Sequence, residues 1–165
     1  MVVIFEPLAL HTRRRRQIRN IQRLEQPPDR LRAAARQVTG AHASAQLRSA
    51  TGVYNCFGLV FASRRTWIER LDDDETEQEV MNILSDDLYG KLPQDVTPET
   101  GDVVLYRNPE GELTHAGIVV GVPPYPLAVR VISQWGIAGE YVHDAADVDT
   151  ALGWPTEFWT DRKRA

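Results

Sequence analysis

Apolar positions along the chain fall into two regimes. Up to about residue 90 they recur every three or four residues, the spacing that lines one face of a helix. Ile18, Ile21 and Leu24 follow that spacing in an otherwise basic run, and Pro27-Pro28 stops it, so an amphipathic helix is predicted over 13–26. Asp29 caps a second helix to about Val38, with Leu31, Ala35 and Val38 on one face and Gly40 as its terminator. Residues 41–53 are small and polar and read as loop or weak helix. Phe57, Val60, Phe61, Ile68 and Leu71 then predict a central helix over 56–71. Thr76-Glu77-Gln78-Glu79 is a capping box ahead of Val80, Ile83, Leu84 and Leu88, so another helix runs to about Leu88, closed by Tyr89-Gly90.

Beyond a Pro-bearing stretch at 92–100 the period shortens to that of strands. Strands are predicted over 102–107 and 113–120, joined by the turn Asn108-Pro109-Glu110-Gly111. Pro123-Pro124-Tyr125-Pro126 stiffens the connection into a third strand over 128–134, and short strands near 140–143 and 156–160 complete the set. Helices first and strands second is the α+β pattern. The expected architecture is N-terminal helices packed on an antiparallel sheet of four to five strands. One domain fills 1–165, comprising a basic helical N-terminal arm, 1–40, and a core, 41–165.

Composition narrows the class. The chain has 165 residues, 42% of them apolar and 25% charged, which suits one soluble domain with a core. No apolar run approaches the roughly 18 to 20 residues that span a bilayer. The opening Met1-Val2-Val3-Ile4-Phe5 is broken by Glu6 and Pro7 before a signal-peptide core forms, so the expected location is cytoplasmic, with no transmembrane segment. Charge is divided along the chain: +9 through Leu71 and −13 beyond it. The basic half, Arg13, Arg14, Arg15 and Arg16 above all, either meets a polyanion or protein partner or docks on the acidic half.

The one cysteine, Cys56, excludes an internal disulfide and acts as thiol or thiolate. It falls in the first turn of a predicted helix, where free N–H groups favour an anion. His115 lies on a predicted strand among small and apolar neighbours. A Cys at a helix start facing a His from a strand is the papain-type arrangement, which needs a third group to hold the imidazole. Val129, Val131 and Ser133 share one strand face, which makes Ser133 the first candidate for that group. Gln134, whose amide oxygen accepts from an imidazole N–H, and His143 are the alternatives. A lone cysteine is also a good small core residue and a strand histidine a good satisfied one. No cofactor or metal is called for: Asp72-Asp73-Asp74 reads as a solvated loop, and His11 and His42 need no role. Trp135, Trp154 and Trp159 line a groove or fill the core.

Asn55-Cys56-Phe57-Gly58-Leu59-Val60, Gly101-Asp102-Val103-Val104-Leu105-Tyr106 and Thr114-His115-Ala116-Gly117-Ile118-Val119-Val120-Gly121 together resemble, in order, the sequence blocks of the NlpC/P60 cell-wall peptidase superfamily. The resemblance spans about residues 54–136. It implies a papain-like α+β fold with Cys56 as nucleophile and His115 as base, acting on a peptide or amide substrate by hydrolysis or transfer. The bond in that family is often γ-glutamyl or in a peptidoglycan stem peptide. Asn55 and Phe57 replace the family's Asp and Ser, its upstream Tyr-Gly-Gly region has no counterpart, and residues 133–160 look like a divergent, non-secreted branch. The implied geometry puts His115 and Ser133 on the sheet face covered by the Cys56 helix. A Cys56 and His115 held apart by the sheet would favour the rival reading, a catalytically inactive papain-like module that binds a polyanion or protein partner through its basic N-terminal helices.

Overall fold

The computed structural model describes residues 6–69, 73–122 and 128–163. Its elements run α1 (Pro28–Ala41), β1 (Gln46–Ser49), α2 (Cys56–Phe61), α3 (Asp73–Asp86), β2 (Gly90–Lys91), β3 (Val103–Arg107), β4 (Leu113–Gly121), β5 (Arg130–Gln134), β6 (Glu140–Asp144) and β7 (Trp154–Thr160). The fold is α+β, and its strands form one antiparallel sheet in the order β1-β6-β5-β4-β3-β7-β2. Among the described residues the sheet therefore has seven strands, not four or five. The two unforeseen ones, β1 and β2, are short sheet edges with mostly exposed side chains, so neither carries an alternating apolar signal.

The helix predicted over 13–26 is absent, so the N-terminal arm is helical only from α1 onward. Residues ahead of α1 run extended, with His11 bridged to Gln17 across a turn in which Arg15 adopts φ 63°, and Ile21 paired with Trp67. The buried positions are Leu10, Thr12, Ile18 and Asn20, alternating as in a strand, while Ile21 and Leu24 are exposed. The spacing of Ile18, Ile21 and Leu24 thus imitated a helix that the buried polar Asn20 contradicts.

The central helix is also shorter than predicted. α2 stops at Phe61, and Ser63 and Arg64, at φ 50° and 64°, turn the chain back so that Trp67 and Ile68 are buried from an extended segment. Gly58 permits this: a Cβ there would lie 1.7 Å from the Thr66 carbonyl oxygen. α1 and α3 form where helices are predicted, although Asp29 sits in the first turn of α1 rather than capping it, Gly40 lies inside α1 rather than ending it, and α3 begins at Asp73, so that Asp73 and Asp74 are helical rather than loop and Thr76 lies within the helix. Leu88 falls beyond α3 at φ 65° and is exposed. Leu71, Asp72 and the Pro123–Pro126 connection lie outside the described residues.

The sheet separates two cores. On one side α2, α3 and the extended N-terminal segment bury Val80, Ile83, Leu84, Val103, Leu105 and Ala116. Each fully buried aliphatic side chain contributes about 1.5–3 kcal/mol. On the other side Val104, Tyr106, Val119, Val131, Trp135 and Tyr141 pack under α1 and the segment after β6. The basic half docks in part on the acidic half. Arg16 Nε binds Asp86 at 2.8 Å, and Arg64 binds the buried Glu140 at 2.6 Å. Among the described residues no helix is long and apolar enough to cross a membrane.

Candidate active site

Asn55 anchors the start of α2. Its Oδ1 accepts from the Gly58 N–H at 2.8 Å and from the Ile68 N–H at 3.1 Å, while its Nδ2 donates to the Ile68 carbonyl at 2.9 Å. One side chain therefore caps the helix and staples it to the returning segment. Only an amide can do both, because a carboxylate has no N–H for the carbonyl. In the sequence Asn55 stands out only as a departure from the resembled pattern, since its second partner lies thirteen residues on.

Cys56 follows at the first helical position, buried at 7% exposure. α2 packs on both β4 and β5, whose ladder begins only at Ile118↔Ile132. The backbone N–H groups of Ala116, Phe57 and Cys56 point at the sulfur and favour the thiolate, but burial outweighs them and pushes the thiol up to about 12.

The structure puts His115 and Ser133 on a common face, as the alternation implied, because Val119 pairs with Val131 and both residues lie an even step away. That face is not the one α2 covers, since α2 packs on the Ala116 side. The expected placement of all three under one helix is thus corrected. At the end of the sheet, however, the faces meet. Cys56, His115 and Gln134 line one cleft of about 290 Å³, together with Trp67, Glu69 and Leu152 among others.

Burial holds His115 neutral, pushing its imidazole down to about 3, with the nearby His143 adding to the effect. Its ring meets Tyr106 edge-on at 5.0 Å between centroids, and Nε2 is buried with no hydrogen-bond partner. The resting pair is therefore a neutral thiol and a neutral imidazole rather than an ion pair.

Ser133 is fully buried and joins a defined chain of hydrogen bonds. His143 Nδ1 lies 2.8 Å from the Asp144 carbonyl oxygen, which can only accept, so Nδ1 carries the proton and Nε2 is an acceptor. Ser133 Oγ, 2.7 Å from Nε2, donates to it and accepts from Trp135 Nε1–H at 3.0 Å. One lone pair of that hydroxyl is left over, on the face that also carries His115. Burial pushes His143 down to about 4. Gln134 spends both amide hydrogens on the Thr51 and Gly136 carbonyls, at 2.7 Å each, which leaves its buried Oε1 without a partner. Among the described residues no hydrogen bond joins His115 to Ser133, Gln134 or His143. Trp135 belongs to the core and Trp154 is exposed.

One wall of the cleft depends on His42, a residue to which the sequence assigned no role. His42 Nδ1 binds Asp147 at 2.9 Å, and Ser44 Oγ donates to the same carboxylate at 2.6 Å, fixing the segment that leads to Ala151 and Leu152. Among the described residues no cluster of His, Cys, Asp or Glu could hold a metal ion. No known family, curated protein or solved structure matches the chain.

Proposed function

We propose that this protein is a cysteine-dependent hydrolase or transferase acting on an amide or peptide bond, in a papain-like arrangement of the NlpC/P60 type. The observation that carries the reading is the shared cleft, into which separate elements bring the one thiol and a buried histidine with an unsatisfied ring nitrogen. Buried orphan nitrogens are costly, and a site of reaction is one of the few reasons to keep one.

Because the resting pair is neutral, His115 acts as a general base during attack. The Cys56 thiol gives its proton to His115 as sulfur adds to the carbonyl carbon. The tetrahedral adduct collapses when that proton passes to the leaving amine, giving a thioester and a free amine. Water or a second amine, deprotonated by His115, then displaces the sulfur and restores the thiol. Ser133 is the positioning residue, since its spare lone pair suits an Nε2–H on His115 and its own proton is already held by His143. No such bond is made in the resting structure, and one formed when substrate binds would fix the tautomer that leaves Nδ1 free as the base.

A peptidyl acyloxymethyl ketone tests this at pH 7. Cys56 should gain one covalent adduct by intact mass, and His115→Ala should slow that gain at least about 100-fold. A native protein that stays unmodified, while the urea-unfolded chain reacts, overturns the reading.

One observation favours a second reading, a non-catalytic module for a polyanion or protein partner. Arg13, Arg14 and Arg15 stand exposed on their turn, although Arg16 is tied to Asp86. Their replacement by Ser should flatten the salt dependence of heparin-resin retention, and unchanged retention would assign them to the solvated surface.

A further inference from the structure

The reaction cleft has a neighbour. Trp154 is 64% exposed, whereas Trp67 and Trp135 are buried and Trp159 packs against the core. With Pro109 and Asn108 it lines a second cleft of about 430 Å³. Two chain segments contribute to both clefts. Ala151 and Leu152 face the first while Thr150, Gly153 and Trp154 face the second, and residues 112–115 line the first while Asn108, Pro109 and Gly111 line the second.

The ridge between the clefts is held close to the sheet. Gly153 adopts φ 83°, and a Cβ there would lie 2.5 Å from the Arg107 carbonyl oxygen and 2.6 Å from Thr114 Oγ1. Thr114 Oγ1 donates to the Leu152 carbonyl at 2.8 Å, one residue from His115. An extended chain crossing this ridge would run from the candidate nucleophile to Trp154.

The charges near the path exclude a polyanion. The cleft with Cys56 has Glu69 and Glu112 in its lining and, among the described residues, no Lys or Arg. The cation of the second cleft, Arg107, is neutralised by Glu77 at 2.7 Å and Glu157 at 3.0 Å. What remains is an apolar shelf with an indole face, which suits a hydrophobic side chain.

We infer that Trp154 and Pro109 form an extension subsite for an aromatic side chain of a polypeptide whose scissile amide lies at Cys56, so that the substrate is a peptide or protein segment rather than a small amide. This rests on the Cys56 reading above, and its test is kept separate from it. The full chain carrying Cys56→Ala is labelled with 5-fluorotryptophan, and the Trp154 fluorine resonance is assigned with Trp154→Phe. Two random decapeptide pools are titrated, one with Phe fixed centrally and one with Ser there. The Phe pool should move the Trp154 resonance at about tenfold lower concentration than the Ser pool. Leu88→Asn, which removes another exposed apolar side chain, should leave that difference intact.

A resonance that neither pool moves, or that both move equally, overturns the inference even if Cys56 is alkylated by the ketone. A resonance moved by an N-acetylglucosamine tetramer and not by peptides also overturns it. Movement by the Phe pool with a Cys56 that resists alkylation by the ketone would keep the peptide shelf and remove the chemistry.

Discussion

Ser133 gives its hydroxyl proton to His143 Nε2 across 2.7 Å, and the direction is fixed because the other ring nitrogen of His143 is 2.8 Å from the Asp144 carbonyl oxygen. The hydroxyl is therefore an acceptor toward everything else, including the Trp135 indole N–H. A serine in this setting can serve as an acceptor for a neighbouring imidazole without competing as a donor.

Ser133→Ala would leave His143 Nε2 and Trp135 Nε1 buried and unpaired, at about 1–3 kcal/mol for each group. Urea unfolding at pH 7 should show a loss in that range or somewhat above it. If Ser133 also positions His115, adduct formation at Cys56 should slow by more than in His143→Gln, whose amide can still accept from the serine. Equal rates in the two variants would reduce Ser133 to a structural role.

Stability should fall in mild acid. His115 and His143 are both held neutral by burial, with folded values of about 3 and about 4, below the ordinary 6.5. The unfolded chain thus binds protons that the folded chain refuses, so their contribution is complete above pH 6.5 and is lost as the pH falls toward 4 and then 3. Each histidine adds a slope of up to about 1.4 kcal/mol per pH unit in that window. Urea midpoints taken from pH 7 to pH 4 should show it, and His115→Gln should make the decline markedly shallower.

The thiol has the opposite sign. Burial raises Cys56 to about 12, so the folded state favours the neutral form, and that advantage is complete below the ordinary thiol value near 9 and lost as pH rises from there toward 12. Iodoacetamide, which brings no binding contacts, should alkylate the native protein slowly at pH 8 and much faster at pH 10. The free N–H groups at the helix start favour the thiolate, and burial outweighs them.

Gly58→Ala should be severe, because the added Cβ would overlap the Thr66 carbonyl oxygen at 1.7 Å and force α2 away from the returning segment. A loss of at least about 3 kcal/mol is expected, at the upper end for overpacking. Asn55→Asp should cost less than Asn55→Ala, since the carboxylate keeps both acceptor bonds and loses only the donation to Ile68. Thermal melts of the three variants give the order directly.

Periodicity alone was enough for α1, α3 and the five strands β3 to β7, because each buries a face whose side chains alternate or recur as its geometry requires. It also placed His115 and Ser133 on a shared strand face, whereas Cys56 and His115 stood out by their chemistry and by the resemblance. Periodicity failed over 13–26, where Asn20 is buried with hydrogen bonds to Leu8 and Thr66, partners outside that run. Edge strands β1 and β2 left no trace because exposed strands impose no pattern. Which face α2 covers and the neutral state of the Cys56 and His115 pair were decided only by tertiary structure. Those properties follow from strand pairing and from the water excluded around each group, and neither is a property of local sequence.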